Sequence, residues 1–134
     1  MTLKIDIDEK SLKVIEKFEF RLMFIDRYFP NLVERYGVHK SRKGYHVRVM
    51  LTREIRNRDA IVFQSLLLDD WLRTLRCLWR VSSGDKDWNI LFAYKKKGVT
   101  IMDERFLYSR SIRQLRKGWY FEHGRLYKRN RRRD

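Results

Sequence analysis

Cysteine and proline are almost absent from this chain of 134 residues. The single cysteine, Cys77, excludes an internal disulfide framework and a cluster of thiolate metal ligands, and it favours a reducing compartment. Charged residues interrupt every apolar stretch, so no segment has the length of a membrane span. The N-terminus lacks the basic and apolar regions of a signal peptide. We therefore expect a cytoplasmic protein that makes no contact with a membrane.

Negative charge is also scarce relative to positive charge. The chain has 32 Lys and Arg residues against 17 Asp and Glu residues, a formal net charge of +15. Residues 105–134 alone hold eleven basic and two acidic residues, a net charge of +9. A net charge of this size opposes compactness through self-repulsion, so it indicates a polyanionic partner. We expect this partner to be nucleic acid, either DNA or RNA.

The length and composition predict one folded domain. Hydrophobic residues make up 43% of the chain, enough for a core. The last residues are basic and lack apolar side chains that could be buried, so we expect a single domain at 1–127 and a mobile basic tail at 128–134. Gln and Asn are scarce beside Lys, Arg and Glu, a bias typical of heat-adapted (thermophilic) proteins.

Hydrophobic periodicity predicts an α+β fold. Strands are expected at 1–8, 33–39, 45–51 and 88–95, helices at 9–29, 59–81 and 104–117, and a hairpin at 119–127. Residues 18–24 also alternate, so a strand there is an alternative. The order predicts a split βαββαβ core, ferredoxin-like or RRM-like, with a C-terminal basic extension. In the 59–81 helix, Leu68, Leu72, Leu75 and Trp79 form the expected core stripe, and we expect Trp71 or Trp79 to be buried.

Two short motifs suit phosphate or metal chemistry. Asp6 and Asp8, two residues apart on a strand, would project from one face and share a divalent cation; the alternative is a solvated strand face. The segment Ser41-Arg-Lys-Gly-Tyr-His46 places a glycine turn and basic donors at the start of a strand, which suits phosphate contact; the alternative is a basic surface hairpin.

In this order the two motifs resemble the palm domain of archaeo-eukaryotic primases. The resemblance covers the first 51 residues or so, where Asp6 and Asp8 match an Asp-hydrophobic-Asp motif and S-R-K-G-Y-H matches Ser-x-x-Gly-x-His. It implies Mg²⁺ or Mn²⁺ binding by Asp6 and Asp8 and nucleotide-phosphate contact by His46. The family's third motif, an aspartate on a later strand, has no counterpart in Trp88-Asn-Ile-Leu-Phe-Ala93. The middle of the chain also looks like small uncharacterised proteins of crenarchaeal viruses and plasmids.

Basic side chains elsewhere are candidates for nucleic-acid contact. Arg73, Arg76 and Arg80 recur along one stripe of the 59–81 helix, although a solvated helix face is the alternative. Aromatic residues alternate with basic ones around 88–97 and 119–127, which suits single strands because bases stack and phosphates are neutralised. The predicted binding residues are Arg42, Lys43, His46, Arg48, Arg73, Arg76, Arg80, Lys95, Lys96, Lys97, Arg129, Arg131, Arg132 and Arg133.

The sequence favours a nucleic-acid-binding protein of an archaeal virus or mobile element, acting in replication or genome handling without catalysis of its own, inside the host cell if viral. In this hypothesis there is no cofactor, and the oligomeric state is open. One alternative is a metal-dependent, primase-like nucleotidyltransferase or nuclease that uses Asp6, Asp8 and His46 with Mg²⁺ or Mn²⁺. Another is a structural or protein-interaction module of a virion.

Overall fold

The computed structural model describes residues 1–90, 93–96, 99–102 and 104–129. The helices are α1 (Leu12–Tyr28), α2 (Asn57–Leu66), α3 (Trp71–Ser82) and α4 (Ile112–Arg116). The first strands are β1 (Thr2–Ile7), β2 (Val33–Ser41) and β3 (Tyr45–Leu51). They are followed by β4 (Ala93–Lys96), β5 (Val99–Met102), β6 (Glu104–Ser111), β7 (Trp119–Glu122) and β8 (Arg125–Lys128).

The fold is α+β, as the periodicity predicts, and its centre is a split βαβ unit. β3 lies between β1 and β2 and is antiparallel to both, so the two outer strands are parallel to each other. β6 adds to the free edge of β2, which gives a four-stranded sheet of order β1-β3-β2-β6. The pairs β4–β5 and β7–β8 form two separate hairpins.

One face of the sheet and α1 form the main core. Alternate residues of β1, Leu3, Ile5 and Ile7, are buried, and Ile5 lies opposite Val47 of β3. α1 begins after Ser11, whose side chain accepts a hydrogen bond from the Lys13 N–H, and it ends just before Pro30. The strand alternative for residues 18–24 is therefore wrong, because Phe18 and Leu22 lie on the buried face of a continuous helix.

The predicted 59–81 helix is broken into α2 and α3. Leu68 adopts a left-handed backbone conformation (φ 75°), and the side chain of Asp70 caps α3 by accepting a hydrogen bond from the Arg73 N–H. Both features interrupt helical hydrogen bonding, so the chain turns between the two helices.

The turn between α2 and α3, together with the ends of both helices (the α2–α3 corner), supplies hydrogen-bond partners for the free edge of β1. The N–H groups of Lys4 and Asp6 donate to the side chains of Gln64 and Asp69 at 2.9 and 2.7 Å. The Asp6 carbonyl accepts from the Asp70 N–H at 2.7 Å, and the Lys4 carbonyl accepts from Arg73 at 2.7 Å. Because these groups replace a neighbouring strand, the last strand of the sheet pairs with β2 instead.

Two further predicted elements differ in the structure. The helix expected at 104–117 is mostly strand β6, and only Ile112–Arg116 is helical, because pairing with β2 outweighs local propensity. The strand expected at 88–95 is represented by β4, and residues 88–90 are not in a strand. The hairpin predicted at 119–127 is confirmed, and it continues to Lys128. No described helix has the length and apolar character needed to cross a bilayer.

Candidate nucleic-acid interface

β1, β3, β2 and β6 bring charged and imidazole side chains together on the sheet face opposite α1. Asp6 lies directly opposite His46, and Lys4 opposite Arg48. Asp6 and His46 are buried, with 6% and 1% of their surface exposed. This face of the sheet is therefore closed to solvent at Asp6 and His46.

Glu104, at the start of β6, links the basic members of this face. Its two carboxylate oxygens lie 2.7 Å from His46 Nδ1 and 2.7 Å from Arg48 Nη1. Arg48 also contacts His39 Nδ1 at 3.3 Å. Burial by itself would raise the pKa of Glu104, but the hydrogen bonds from Arg48 and His46 hold it below its ordinary value. Burial lowers the pKa of His46 despite the contact with Glu104.

Asp6 and Asp69 form a second, acidic cluster at the edge of the same face. Burial, together with repulsion from Asp69 and Asp70, raises the pKa of Asp6 to about 7. Burial also raises the pKa of Asp69 to about 6, although Arg73 Nη1 lies 2.9 Å from its carboxylate and opposes the shift. Both aspartates thus resist ionisation much more than an ordinary surface carboxyl does.

Asp6 and Asp8, which the primase resemblance pairs around a metal ion, lie in different environments. Asp8 is exposed beyond the end of β1, while Asp6 is buried. Among the residues that the structure describes, no three His, Cys, Asp or Glu side chains are arranged so that they could hold a metal ion.

The Ser41–Gly44 turn has a structural explanation. A Cβ atom at position 44 would lie 2.0 Å from the carbonyl oxygen of Ile7 and 2.7 Å from the nitrogen of Glu9, so only glycine fits. The Ser41 N–H donates a hydrogen bond to the Gly44 carbonyl, and the Ser41 hydroxyl accepts one from the Gly44 N–H. The motif residues therefore join the turn to the end of β1.

Basic side chains next to this turn surround a shallow depression. Arg42 and Lys43 are exposed, as expected for ligand-binding residues. The depression has a volume of about 450 Å³ and also contains Arg105 from β6, the next strand in the sheet. Its lining residues are Lys40, Ser41, Arg42, Glu104 and Arg105.

The arginines of α3 do not share one environment. Arg73 is buried, and its guanidinium binds the carbonyls of Lys4 and Ile90 and the side chains of Asp69 and Asn89. It therefore stabilises the fold and is not accessible to a ligand. Arg76 is exposed and Arg80 is half-buried.

A second basic cleft lies between β6, α4 and the β7–β8 hairpin. Its volume is about 610 Å³. Glu19 lies at one side, where it accepts hydrogen bonds from Tyr36, from Tyr108 at 3.0 Å and from Arg110 at 3.1 Å. The other side carries the basic residues Lys117, Lys128 and Arg129.

The hairpin beside this cleft presents a stacked aromatic surface. Tyr120 and Tyr127 lie opposite each other, with ring centroids 5.5 Å apart and planes inclined by 26°. The Arg129 guanidinium lies 5.2 Å from the centre of the Tyr120 ring. The two residues retain 37% and 41% exposure, so part of the stack faces solvent.

The remaining predicted binding residues fall at the C-terminus and in the β4–β5 region. Lys128 ends β8 and its amine lies 2.6 Å from Glu16, while the Arg129 N–H donates to the Gly118 carbonyl at 2.8 Å. Both residues thus belong to the folded hairpin and not to a tail. The side chains of Lys95 and Lys96, and the whole of Lys97, Arg131, Arg132 and Arg133, lie outside the described residues.

Sequence reasoning missed Glu104, Arg105, Arg110 and Lys117. Glu104 meets His46 across 58 residues of chain, a separation that no local pattern indicates. Arg110 and Lys117 become neighbours of the hairpin only because β6 is a strand and α4 is short. The basic and aromatic composition of 105–134 was the available signal. Comparisons with protein-family models, with curated proteins and with solved structures found no match.

Proposed function

We propose that this protein binds nucleic acid, with the C-terminal cleft and hairpin as its principal contact. The observation that carries the proposal is the position of Arg129, which lines the cleft together with Lys117 and also lies 5.2 Å from the Tyr120 ring of the Tyr120–Tyr127 stack. Single-stranded nucleic acid needs both features, because bases stack on aromatic rings and phosphates require cations within a few ångströms.

The contacts of these residues are consistent with such a role. The Glu19 carboxylate is occupied by two tyrosine hydroxyls and Arg110, so its repulsion of a phosphate is reduced. The Lys128–Glu16 ion pair is about half exposed on both sides, and an exposed pair of this kind exchanges readily for a stronger anion. The depression near Arg42 and Arg105 supplies a second cationic surface for a longer strand.

The proposal is tested by fluorescence anisotropy with a labelled single-stranded oligonucleotide, titrated at several salt concentrations. Tyr120→Ala and Tyr127→Ala should each weaken binding by about 5- to 100-fold, the range of one lost base stack. The salt slope should stay the same, because no phosphate contact is lost. Lys117→Gln should instead lower the slope by about 1.

The matched control is Tyr28→Ala. Tyr28 is 74% exposed at the end of α1 and belongs to neither basic surface. An equal loss of affinity in Tyr28→Ala and Tyr120→Ala would contradict the hairpin site. Absence of salt-dependent binding in the wild-type protein, to DNA and RNA alike, would contradict nucleic-acid binding itself.

The metal-dependent alternative has a separate test. A primase-like nucleotidyltransferase or nuclease would require Asp6, so primer synthesis or strand cleavage with Mg²⁺ or Mn²⁺ in the wild-type protein, lost in Asp6→Asn, would support that hypothesis over ours. We expect neither activity, because Asp6 is buried while Asp8 is exposed beyond the end of β1. An origin in an archaeal virus or mobile element remains part of the proposal.

A further inference from the structure

The outer face of α3 is an apolar surface that the described residues leave open. Trp71 is 74% exposed, Leu75 54% and Trp79 69%. Leu72 and Leu78 complete the face at 37% and 36% exposure. A patch of this kind on a small protein marks an interaction site.

The orientation of the helix is fixed by its opposite face. Cys77 and Arg73 are buried, and the Arg73 guanidinium donates to two backbone carbonyls as well as to the Asp69 and Asn89 side chains. Turning the apolar stripe inward would break these bonds and leave the Arg73 charge unpaired, which is strongly unfavourable. The exposure of the tryptophans is therefore a stable property of the fold.

The stripe has a symmetry that identifies its occupant. Residues 71–79 read W-L-R-T-L-R-C-L-W, so the apolar residues form a palindrome around Leu75, with Leu at three positions and Trp at four positions on either side. When two such helices pack antiparallel about Leu75, Trp71 of one copy faces Trp79 of the other, and Leu72 faces Leu78. A two-fold symmetric interface requires this self-complementarity.

We propose that the protein forms a homodimer through antiparallel packing of α3 against α3 of a second copy. Each copy offers roughly 500 Å² of exposed side chain on this face, given about 200 Å² or more for a free tryptophan. Pairing would bury about 1,000 Å² in total, which reaches the lower bound for a specific interface. The five apolar residues carry no charge, so the net charge of +15 on each copy is not concentrated in the contact.

The inference does not depend on nucleic-acid binding, and it is tested without nucleic acid. Sedimentation equilibrium over about 1–100 µM should show the wild-type protein reaching twice its chain mass of 16.7 kDa. Leu75→Arg would place two like charges at the two-fold axis, so this variant should stay at the chain mass. Circular dichroism should show an unchanged fold, because Leu75 is 54% exposed and the buried residues of α3 are Arg73 and Cys77.

The control is Leu12→Arg, the same substitution at the first residue of α1, where the leucine is 77% exposed. It should leave the dimer intact. A wild-type protein that stays at 16.7 kDa, or a Leu75→Arg variant that dimerises as well as Leu12→Arg, would overturn the proposal. The proposal would also be overturned if the protein is a monomer and the fluorescence emission of its α3 tryptophans shifts to the blue only when vesicles containing anionic lipid are added. The partner of the α3 face would then be a membrane surface.

Mixed disulfides test the antiparallel register independently. Trp71→Cys and Trp79→Cys proteins, mixed and mildly oxidised, should form the 71–79 cross-link in preference to 71–71 or 79–79. The native Cys77 is buried and does not compete. Preferential 71–71 cross-linking would show parallel packing and would overturn the antiparallel arrangement.

Discussion

At the scale of single residues, the buried charges of this protein hold its edges together. Arg73 shows this most clearly, because one guanidinium joins β1, the α2–α3 corner and the segment after α3. Arg116 forms a similar bidentate contact with the buried Asp26 carboxylate at 2.8 Å to each oxygen, linking α4 to α1. Removing either arginine would leave a buried carboxylate without its partner.

The contribution of Asp6 to the stability of the protein should fall as the pH rises from about 4 to 7. The folded pKa of Asp6 is about 7, well above the ordinary value of 3.8, so the folded state binds a proton that the unfolded state has already released in this window. The stability that Asp6 contributes is therefore fully present below pH 4, and this contribution is lost as the pH approaches 7. Asp69, with a pKa of about 6, acts in the same direction.

Asp6→Asn should remove most of this dependence and stabilise the protein at pH 7.5 by about 1–2 kcal/mol relative to wild type, less than the full pKa shift implies because solvent screens part of it. Urea unfolding at pH 4.5, 5.5, 6.5 and 7.5 measures the difference. Asp8→Asn, an exposed neighbour, is the control and should follow the wild-type curve. Parallel curves for wild type and Asp6→Asn would contradict this linkage.

At the scale of elements, α3 reverses the usual relation between hydrophobicity and burial. The sequence predicts the Leu and Trp stripe as its core face, and that prediction is wrong: Leu72, Leu75 and Trp79 are exposed, and Arg73 with Cys77 faces inward. The reason is that the free edge of β1 needs hydrogen-bond donors and acceptors, which Arg73 and Asp69 provide and leucines do not.

Trp79→Ala should therefore cost the monomer less than about 1 kcal/mol of unfolding free energy, because surface substitutions seldom cost more. Phe18→Ala, at a fully buried position, should cost about 3–5 kcal/mol. Chemical denaturation at sub-micromolar protein, where association is weak, separates the two effects. A loss of stability in Trp79→Ala similar to that in Phe18→Ala would show that α3 packs with its tryptophans inward.

At the scale of the whole molecule, the two basic surfaces and the apolar stripe of α3 are separate. Cations line the depression beside the β2–β3 turn and the cleft beside the C-terminal hairpin, and the five apolar residues of the α3 stripe line neither. A dimer formed through α3 would carry two hairpin sites. When both sites of the dimer bind the same nucleic-acid molecule, the apparent affinity rises through effective concentration without any new contact.

Removal of residues 130–134 should lower the slope of log K against log salt by about 2–3, because Arg131, Arg132 and Arg133 are lost and each phosphate contact contributes about 0.7–0.9. The thermal unfolding temperature should stay the same, since β8 ends at Lys128. Anisotropy titrations at four salt concentrations give the slope. An unchanged slope would show that these arginines do not contact phosphate.

The sequence by itself determined the fold class, the β1-α1-β2-β3 order and the hairpin at 119–127, because periods of two and of about 3.6 residues are local properties. It also determined the net charge of +15, since net charge depends only on composition. Only the tertiary structure decided that α3 turns Arg73 inward, that Glu104 meets His46, and that Arg129 lines a cleft with Lys117 while it lies over the Tyr120 ring. Those contacts join residues that are distant in the chain. They depend on whether strand pairing or side-chain hydrogen bonds satisfy each edge of the sheet, and no local sequence pattern indicates the outcome of that competition.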